Sequence, residues 1–200
     1  MSAARLSRPV LFAVCGTLLV AVVMTLGLRL EDRRWLDDSG RVLPFVAAPD
    51  SPETSQHLAD PYTFTHLLHG VVLFWPLAWA ARRLLPERRA AFVTAAAFVA
   101  CAAVETGWEI LENSPPVIAR YRTNTAALGY SGDTIVNSLG DLAACLTGFL
   151  LASRIGAKAS AVVFLTVELA LLIAVRDGLI LSVLMLLVPL DGLRDWQAGR

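Results

Sequence analysis

Long runs of apolar residues alternate with short polar segments along the chain, a pattern typical of membrane proteins. A membrane-crossing helix needs about 20 mostly apolar residues. Five such runs follow one another, at about residues 9–28, 62–81, 90–113, 132–153 and 159–175. Arg176-Asp177-Gly178 interrupts the last apolar region, and a further short helix is predicted at 178–190. The alternative is one tilted helix over 159–190, which would extend about 48 Å at 1.5 Å per residue.

The predicted fold is all-α: a polytopic transmembrane helical bundle with five spans plus a short or re-entrant C-terminal helix. It forms a single membrane domain over residues 1–200, with residues 31–60 as a polar outer loop. Basic residues in short loops mark the cytoplasmic side. An N terminus inside gives eight basic residues on the inner side against six outside, a modest bias. The eight are Arg5, Arg8, Arg82, Arg83, Arg88, Arg89, Arg154 and Lys158.

Composition supports a membrane protein and excludes a nucleic-acid binder that depends on positive charge. The chain is 56% hydrophobic and 17% charged, whereas soluble domains average about 45–50% and about 25%. Its 17 Lys and Arg balance 17 Asp and Glu, which excludes a nucleic-acid binder driven by positive charge. The expected partners are therefore membrane lipids and not nucleic acids.

Ionisable residues recur near one end of three neighbouring predicted spans. Each group falls along one helical face, because its members are three, four, seven or eight residues apart. Such groups cost about 2.5–3.5 kcal/mol at a helix centre, so they tend to be paired, hydrated or functional. The groups are His66 and His69 at the start of span two, Glu105, Glu109 and Glu112 at the end of span three, and Asp133, Asn137 and Asp141 at the start of span four.

These residues lie at the same membrane surface, because consecutive spans alternate in direction. Seven residues separate Glu105 from Glu112, so Glu105 lies about 10 Å deeper. Histidines and carboxylates on facing helices form metal and proton sites in bundles. One interpretation is a divalent metal ion as cofactor, with His66 and His69 as its ligands, and the alternatives are a proton path or a salt bridge. The predicted catalytic residues are Glu105, Glu109, Asp133 and Asp141.

Several of these residues also have purely structural interpretations. Asp133 could be a helix N-cap, and Asn137 could join helices by hydrogen bonds. His66 and His69 could bond neighbouring helices without binding a ligand. The segment 114–131 is predicted to be a connector above these residues. It carries Arg120, Arg122 and Tyr130, which with Asn137 are the predicted substrate-binding residues, and the arginines suit phosphate or carboxylate head groups.

Longer motifs in the chain resemble a family of uncharacterised multi-pass inner-membrane proteins of alphaproteobacteria. The resemblance implies an inner-membrane location but no activity, and it extends from about residue 55 to the end. Its motifs include Tyr62-Thr63-Phe64-Thr65-His66-Leu67-Leu68-His69-Gly70, Trp108-Glu109-Ile110-Leu111-Glu112-Asn113-Ser114-Pro115, Arg120-Tyr121-Arg122 and Tyr130-Ser131-Gly132-Asp133.

A shorter pattern is similar to VanZ-like proteins, which are linked to teicoplanin resistance. In that pattern a Glu near the end of one span and a basic loop precede Asp-x-x-x-Asn-x-x-Gly, which opens the next span. The matching residues are Glu109, Arg122, Asp133, Asn137 and Gly140. This similarity implies only a role in the cell envelope.

Three functions compete at this stage. The leading hypothesis is an envelope enzyme acting on a lipid or lipid-linked substrate near the outer leaflet. Mixed histidine and carboxylate ligands would suit zinc, manganese or iron, and carboxylates alone would suit magnesium. The alternative is a non-catalytic membrane scaffold or assembly factor, in which the polar residues only join helices. The third is a small proton-coupled transporter, which would need acidic groups reaching both surfaces.

Overall fold

The protein is entirely α-helical in its regular secondary structure over the described residues. The computed structural model describes residues 6–125, 127 and 129–199, so Arg5 lies outside the described part. Four helices are long and apolar enough to cross a membrane. The all-α prediction is confirmed, and the chain is a membrane protein. The helices are α1 (Arg8–Leu30), α2 (Thr63–Leu84), α3 (Ala90–Glu112), α4 (Pro115–Asn124), α5 (Ile135–Val175), α6 (Leu179–Leu187) and α7 (Asp191–Gln197).

Helix α5 contains both of the last two predicted spans. Its 41 residues would extend about 62 Å at 1.5 Å per residue, about twice a bilayer core. Gly156 divides it, with a non-helical backbone at φ 78° and ψ 169°. Val175 at its end lines the same cavity as Asp133 and Asp141 at its start. The chain therefore turns back at Gly156, and the count of five crossings stays a prediction.

The C-terminal third and the connector hold three short helices. Helix α6 corresponds to the short helix predicted at 178–190, whereas α7 was not predicted. The connector at 114–131 contains α4, which begins with Pro115 and Pro116. Proline is tolerated in the first turn of a helix because the N–H groups there have no intrahelical partner. The two prolines that end span three therefore also begin the next helix.

Helices α2 and α5 touch through their backbones. A Cβ on Gly70 would lie 1.8 Å from the carbonyl oxygen of Cys145, and one on Gly148 would lie 1.9 Å from that of Leu67. Small residues at such contacts let membrane helices approach closely. This contact fixes the depth of α2 relative to α5.

An apolar core lies next to this contact, deeper in the bundle. It is built from side chains of α2, α3 and α5, and Phe149 stacks edge-on against Phe74 and Phe98. Helix α1 packs on α3, and its buried residues are Met24 and Leu28. Most of α1 is therefore left to face lipid.

The segment between α1 and α2 folds over the start of α5. The N–H groups of Ile135 and Thr134 donate to the carbonyl oxygens of Arg34 and Ser55 at 2.8 and 3.0 Å. The side chain of Asn137 donates to the carbonyl oxygen of His57 at 2.9 Å. Main-chain groups that α5 leaves unpaired at its first turn are thus bonded by the loop, which fixes the loop above the polar end of the bundle.

Candidate functional site

His66 on α2 is the centre of a buried cluster of acidic and histidine side chains. Its Nδ1 lies 2.6 Å from Oε1 of Glu105 and 3.2 Å from Oε1 of Glu109, both on α3. Its Nε2 lies 4.0 Å from Oδ2 of Asp141 on α5. Three helices therefore bring their predicted site residues to a single point. We call His66, His69, Glu105, Glu109 and Asp141 the acid–histidine cluster.

His69 lies one turn after His66 and shares the same acidic partner. Its Nδ1 is 3.0 Å from Oε2 of Glu105, and its ring packs edge-on against Trp108 with centroids 6.1 Å apart. His66, His69 and Glu105 offer one ligand atom each, all within 4.8 Å of one another. His66, Glu109 and Glu112 form a second such group. These donor sets fit a divalent metal ion with mixed nitrogen and oxygen ligands.

Carboxylate oxygens of two residues in the cluster have no hydrogen-bond partner among the described residues. Glu109 is 0% exposed and neither of its carboxylate oxygens has a partner. The His66 ring is close to Glu109, but its Nδ1–H group has the nearer acceptor in Glu105. Asp141 is 4% exposed, and its Oδ1 also lacks a partner. A buried carboxylate is costly unless a cation or donor compensates it, so these oxygens are suited to accept a cation or a hydrogen-bond donor.

Asp133 belongs to a neighbouring network that joins α3 to the start of α5. Asn113 donates to Oδ2 of Asp133 at 2.7 Å and accepts from its backbone N–H at 2.6 Å. Tyr130 donates to Oδ1 of Asp133 at 3.0 Å. Thr134 is the N-cap of α5, so the interpretation of Asp133 as that cap was wrong. Sequence analysis missed Asn113, although its polar side chain directly after Glu112 was a usable signal.

A cavity of about 450 Å³ opens above the cluster. His66, His69 and Asp141 lie at its inner end, and Asp133, Tyr130 and Asn137 line it as well. Glu105 and Glu109 lie behind the histidines. The roof includes the loop before α2, and one wall comes from α6. Eight of the ten predicted site residues belong to the cavity lining or to the acid–histidine cluster, namely His66, His69, Glu105, Glu109, Tyr130, Asp133, Asn137 and Asp141.

Arg120 and Arg122 stand apart from the cavity lining. Arg120 Nε donates to the carbonyl oxygen of Leu186 at the end of α6, and Arg122 Nε donates to that of Tyr130, each at 2.5 Å. Both guanidinium groups therefore hold main-chain segments that surround the cavity. Their predicted role in holding an anionic head group stays a prediction.

Glu168 and Asp177 fix the beginning of α6. Glu168 on the returning part of α5 accepts from the backbone N–H of Leu179 at 2.7 Å. The guanidinium of Arg176 donates to the carbonyl oxygen of Trp196 at 3.1 Å. Asp177 accepts from the N–H of Gly178 at 2.8 Å and from the hydroxyl of Ser182 at 3.1 Å. These bonds hold the α6 wall against the cavity.

Asp177→Asn should reduce the pH dependence of thermal stability. Burial raises the pKa of Asp177 to about 6, from an ordinary value of 3.8, despite the bonds it accepts. A carboxyl with a raised pKa in the folded chain stabilises the fold at low pH, and this contribution is lost as pH rises through the folded pKa. Between about pH 5 and about pH 7.5, the Tm in detergent should fall less in the variant than in the wild type.

Asp195→Asn provides the control for this experiment. Asp195 lies on α7 with its side chain 55% exposed, so its variant should follow the wild-type pH profile. Parallel profiles for Asp177→Asn and the wild type would contradict the expected titration.

Comparison with known sequences identifies relatives along almost the whole chain. Residues 28–199 match the family described as "Protein of unknown function (DUF2585)". A UPF0314 protein of Paracoccus denitrificans is 41% identical over 184 residues, covering 92% of this chain and 91% of the relative. A UPF0314 protein of Sphingopyxis alaskensis is 38% identical over 187 residues, covering 94% and 93%.

No solved structure matches the chain. The sequence matches do not show the similarity to VanZ-like proteins, which stays a prediction. They do confirm the resemblance to an uncharacterised alphaproteobacterial family. The chain therefore belongs to the DUF2585 family of UPF0314 proteins.

Proposed function

We propose that this protein is a multi-pass enzyme of the bacterial inner membrane that uses a divalent metal ion to act on a lipid or lipid-linked substrate. The observation that carries this proposal is the acid–histidine cluster at the inner end of the cavity. Its side chains converge from three helices, and those on α2 and α3 include ligand atoms within 4.8 Å of one another. Carboxylate oxygens of Glu109 and Asp141 lack hydrogen-bond partners. A scaffold would need the polar contacts but neither the cavity nor carboxylate oxygens without hydrogen-bond partners.

The proposed metal ligands come from two adjacent helices. His66 and His69 supply imidazole nitrogens, and Glu105 and Glu109 supply carboxylate oxygens. A bound divalent ion would polarise a substrate oxygen or lower the pKa of a bound water. Glu105 already holds both imidazole rings through its hydrogen bonds, which keeps the two nitrogens close together.

Asp141 is the proposed proton-transferring residue. It lines the cavity and lies 4.0 Å from His66, and a catalytic acid or base must reach the reacting atoms from such a position. Asp133 lies nearer the mouth, where Asn113 and Tyr130 fix its orientation. Asp133 would therefore position the substrate or complete the proton path.

A lipid substrate is supported by the α6 wall. Leu179, Val183 and Leu186 line the cavity, whereas Ile180 and Leu187 on the same helix are exposed. In a membrane protein, an exposed apolar helix face is covered by lipid. Helix α6 alone would therefore separate the cavity from lipid, and the acyl chains of the substrate would lie along this helix. With the N terminus inside, the cavity would open at the outer leaflet.

The apolar core disfavours the transporter hypothesis. Phe74, Phe149 and Cys101 fill the bundle on the inner side of the cluster. Transport along the polar residues would need ionisable groups through this region, and the core residues of the described chain are apolar there. Hydrolysis or group transfer within a closed-ended cavity fits this arrangement better.

Metal analysis of the full-length chain, purified without a histidine tag, tests the proposal. The wild type should retain a divalent metal, and Glu105→Ala/Asp141→Ala should lose it, because each change removes a charged group from the cluster. The matched control is Glu87→Ala, since Glu87 is exposed in the turn after α2. The proposal fails if metal-free wild type still restores the membrane lipid composition of a deletion strain.

A further inference from the structure

The cavity is lined by many acidic side chains. Among the described residues that line it, none is lysine or arginine. The basic side chains in this described lining are those of His66 and His69. The lining carboxyl groups are those of Asp50, Asp60, Glu112, Asp133, Asp141 and Asp177.

Arginines are present around the cavity, but their guanidinium groups are bonded to the main chain. Arg33 donates to the carbonyl oxygen of Ser131, and Arg194 donates to that of Thr123 at 3.2 Å. Arg120 and Arg122 do the same at Leu186 and Tyr130, as described above. These bonds hold the positively charged guanidinium groups against main-chain carbonyl oxygens around the cavity, outside its described lining. The described lining therefore offers no guanidinium or ammonium group to balance a head group of net negative charge.

Aromatic rings and an unpaired carboxylate point to a cationic ligand instead. Tyr62, Trp108, Tyr121 and Tyr130 line the cavity, and the faces of such rings attract ammonium groups. Oδ1 of Asp141 is buried in the same lining without a hydrogen-bond partner. Carboxylates combined with aromatic rings are the usual surroundings of a bound organic cation.

We propose that the cavity binds an amine-bearing lipid head group, such as that of a zwitterionic phospholipid, in preference to an anionic one. This inference rests on the proposed function and specifies its substrate class. The ammonium group would lie among the aromatic rings, with Oδ1 of Asp141 on its inner side and the carboxylates of Asp50 and Asp133 toward the mouth. The acyl chains would lie along α6. The divalent metal would occupy the acid–histidine cluster farther inside.

Lipid binding by the purified full-length chain tests this assignment. The probes are phosphatidylethanolamine and phosphatidylglycerol with identical acyl chains, and native mass spectrometry measures retention of each. Wild type should retain phosphatidylethanolamine preferentially. Equal retention, or a preference for phosphatidylglycerol, would overturn the inference. Displacement by equimolar free ethanolamine would also overturn it, because the ligand would then be a soluble amine.

Asp50→Lys provides a charge-reversal variant that should still fold. Asp50 is exposed in the loop at the cavity mouth, and we expect the preference for phosphatidylethanolamine to fall roughly fivefold, the effect of about 1 kcal/mol. Glu87→Lys makes the same charge change on the surface away from the cavity and should leave the preference unaltered. A preference that is the same in both variants would contradict the placement of the head group.

Metal content measured on the same preparations separates this inference from the proposed function. Bound metal without an amine preference would leave the metal-dependent enzyme standing and overturn the substrate class. An amine preference without bound metal would overturn the metal-dependent function and retain the binding site.

Discussion

Glu109→Gln should abolish metal retention and lipid restoration in a deletion strain without lowering the thermal stability of the protein. Glu109 is fully buried, and both carboxylate oxygens lack hydrogen-bond partners. Its ionic neighbour, Nδ1 of His66 at 3.2 Å, is shared with Glu105, which lies nearer at 2.6 Å. An incompletely compensated buried charge costs several kcal/mol, whereas an unsatisfied neutral group costs about 1–3 kcal/mol. The amide should therefore leave Tm unchanged or raise it in metal-free protein.

The same substitution removes a charged oxygen from the proposed metal site. Loss of a group that supports a bound metal costs about 10- to 100-fold in affinity, and Glu109 would contact the ion directly. We therefore expect at least about a tenfold loss of retained metal. Metal analysis, a thermal melt in detergent and lipid mass spectrometry of the complemented strain provide the three readouts.

Glu87→Gln is the matched control, because Glu87 is exposed and distant in sequence from the cluster. It should behave as wild type in all three measurements. A scaffold role for the protein makes the opposite prediction for Glu109→Gln, namely full complementation with normal lipids. That result, or a large drop in Tm with metal retained, would contradict the enzyme proposal.

Gly70→Ala should strongly destabilise the bundle, whereas Gly107→Ala should not. A Cβ at Gly70 would lie 1.8 Å from the carbonyl oxygen of Cys145, a backbone atom that cannot rotate away. Overpacking in a close-packed interior costs about 1–3 kcal/mol and sometimes more. Helices α2 and α5 would have to separate, which would also displace His66 from Asp141.

Gly107 lies on α3, and a Cβ there would meet no atom within 4 Å. Alanine at a helical glycine with free space stabilises by about 0.5–1 kcal/mol. The two glycine-to-alanine changes should therefore shift the Tm in opposite directions, or at least by very different amounts. Similar Tm values for the two variants would show that α2 and α5 do not touch at Gly70.

The sequence alone predicted the long helices and the faces on which the site residues lie. Hydropathy depends on local composition, so the apolar runs predicted α1, α2, α3 and the two parts of α5. Periodicity is also local, and it placed His66 and His69 on one face of α2 and Glu105 and Glu109 on one face of α3. Alternating helix direction then brought these faces to a common end of the bundle.

Sequence spacing predicted less about the groups at the cavity mouth. Residues 114–131 were predicted to be a connector, although Pro115 within this segment begins α4. That Arg120 and Arg122 hold an anionic head group stays a prediction, and the sequence did not indicate that their guanidinium groups bond main-chain carbonyls. A charged side chain several bonds long can point in many directions, so its position along the chain does not determine its partner.

By itself, the sequence determined that the chain forms apolar helices and that their ionisable residues gather at one end, because both properties follow from neighbouring residues. Tertiary structure decided how that end becomes a cavity. Asn137 bonds His57, 80 residues away, and Gln56 bonds Gly132, 76 residues away. The turn at Gly156 brings Val175 back to the same cavity. Contacts over such separations depend on the packed fold, since no local pattern in the chain specifies which distant carbonyl a side chain will meet.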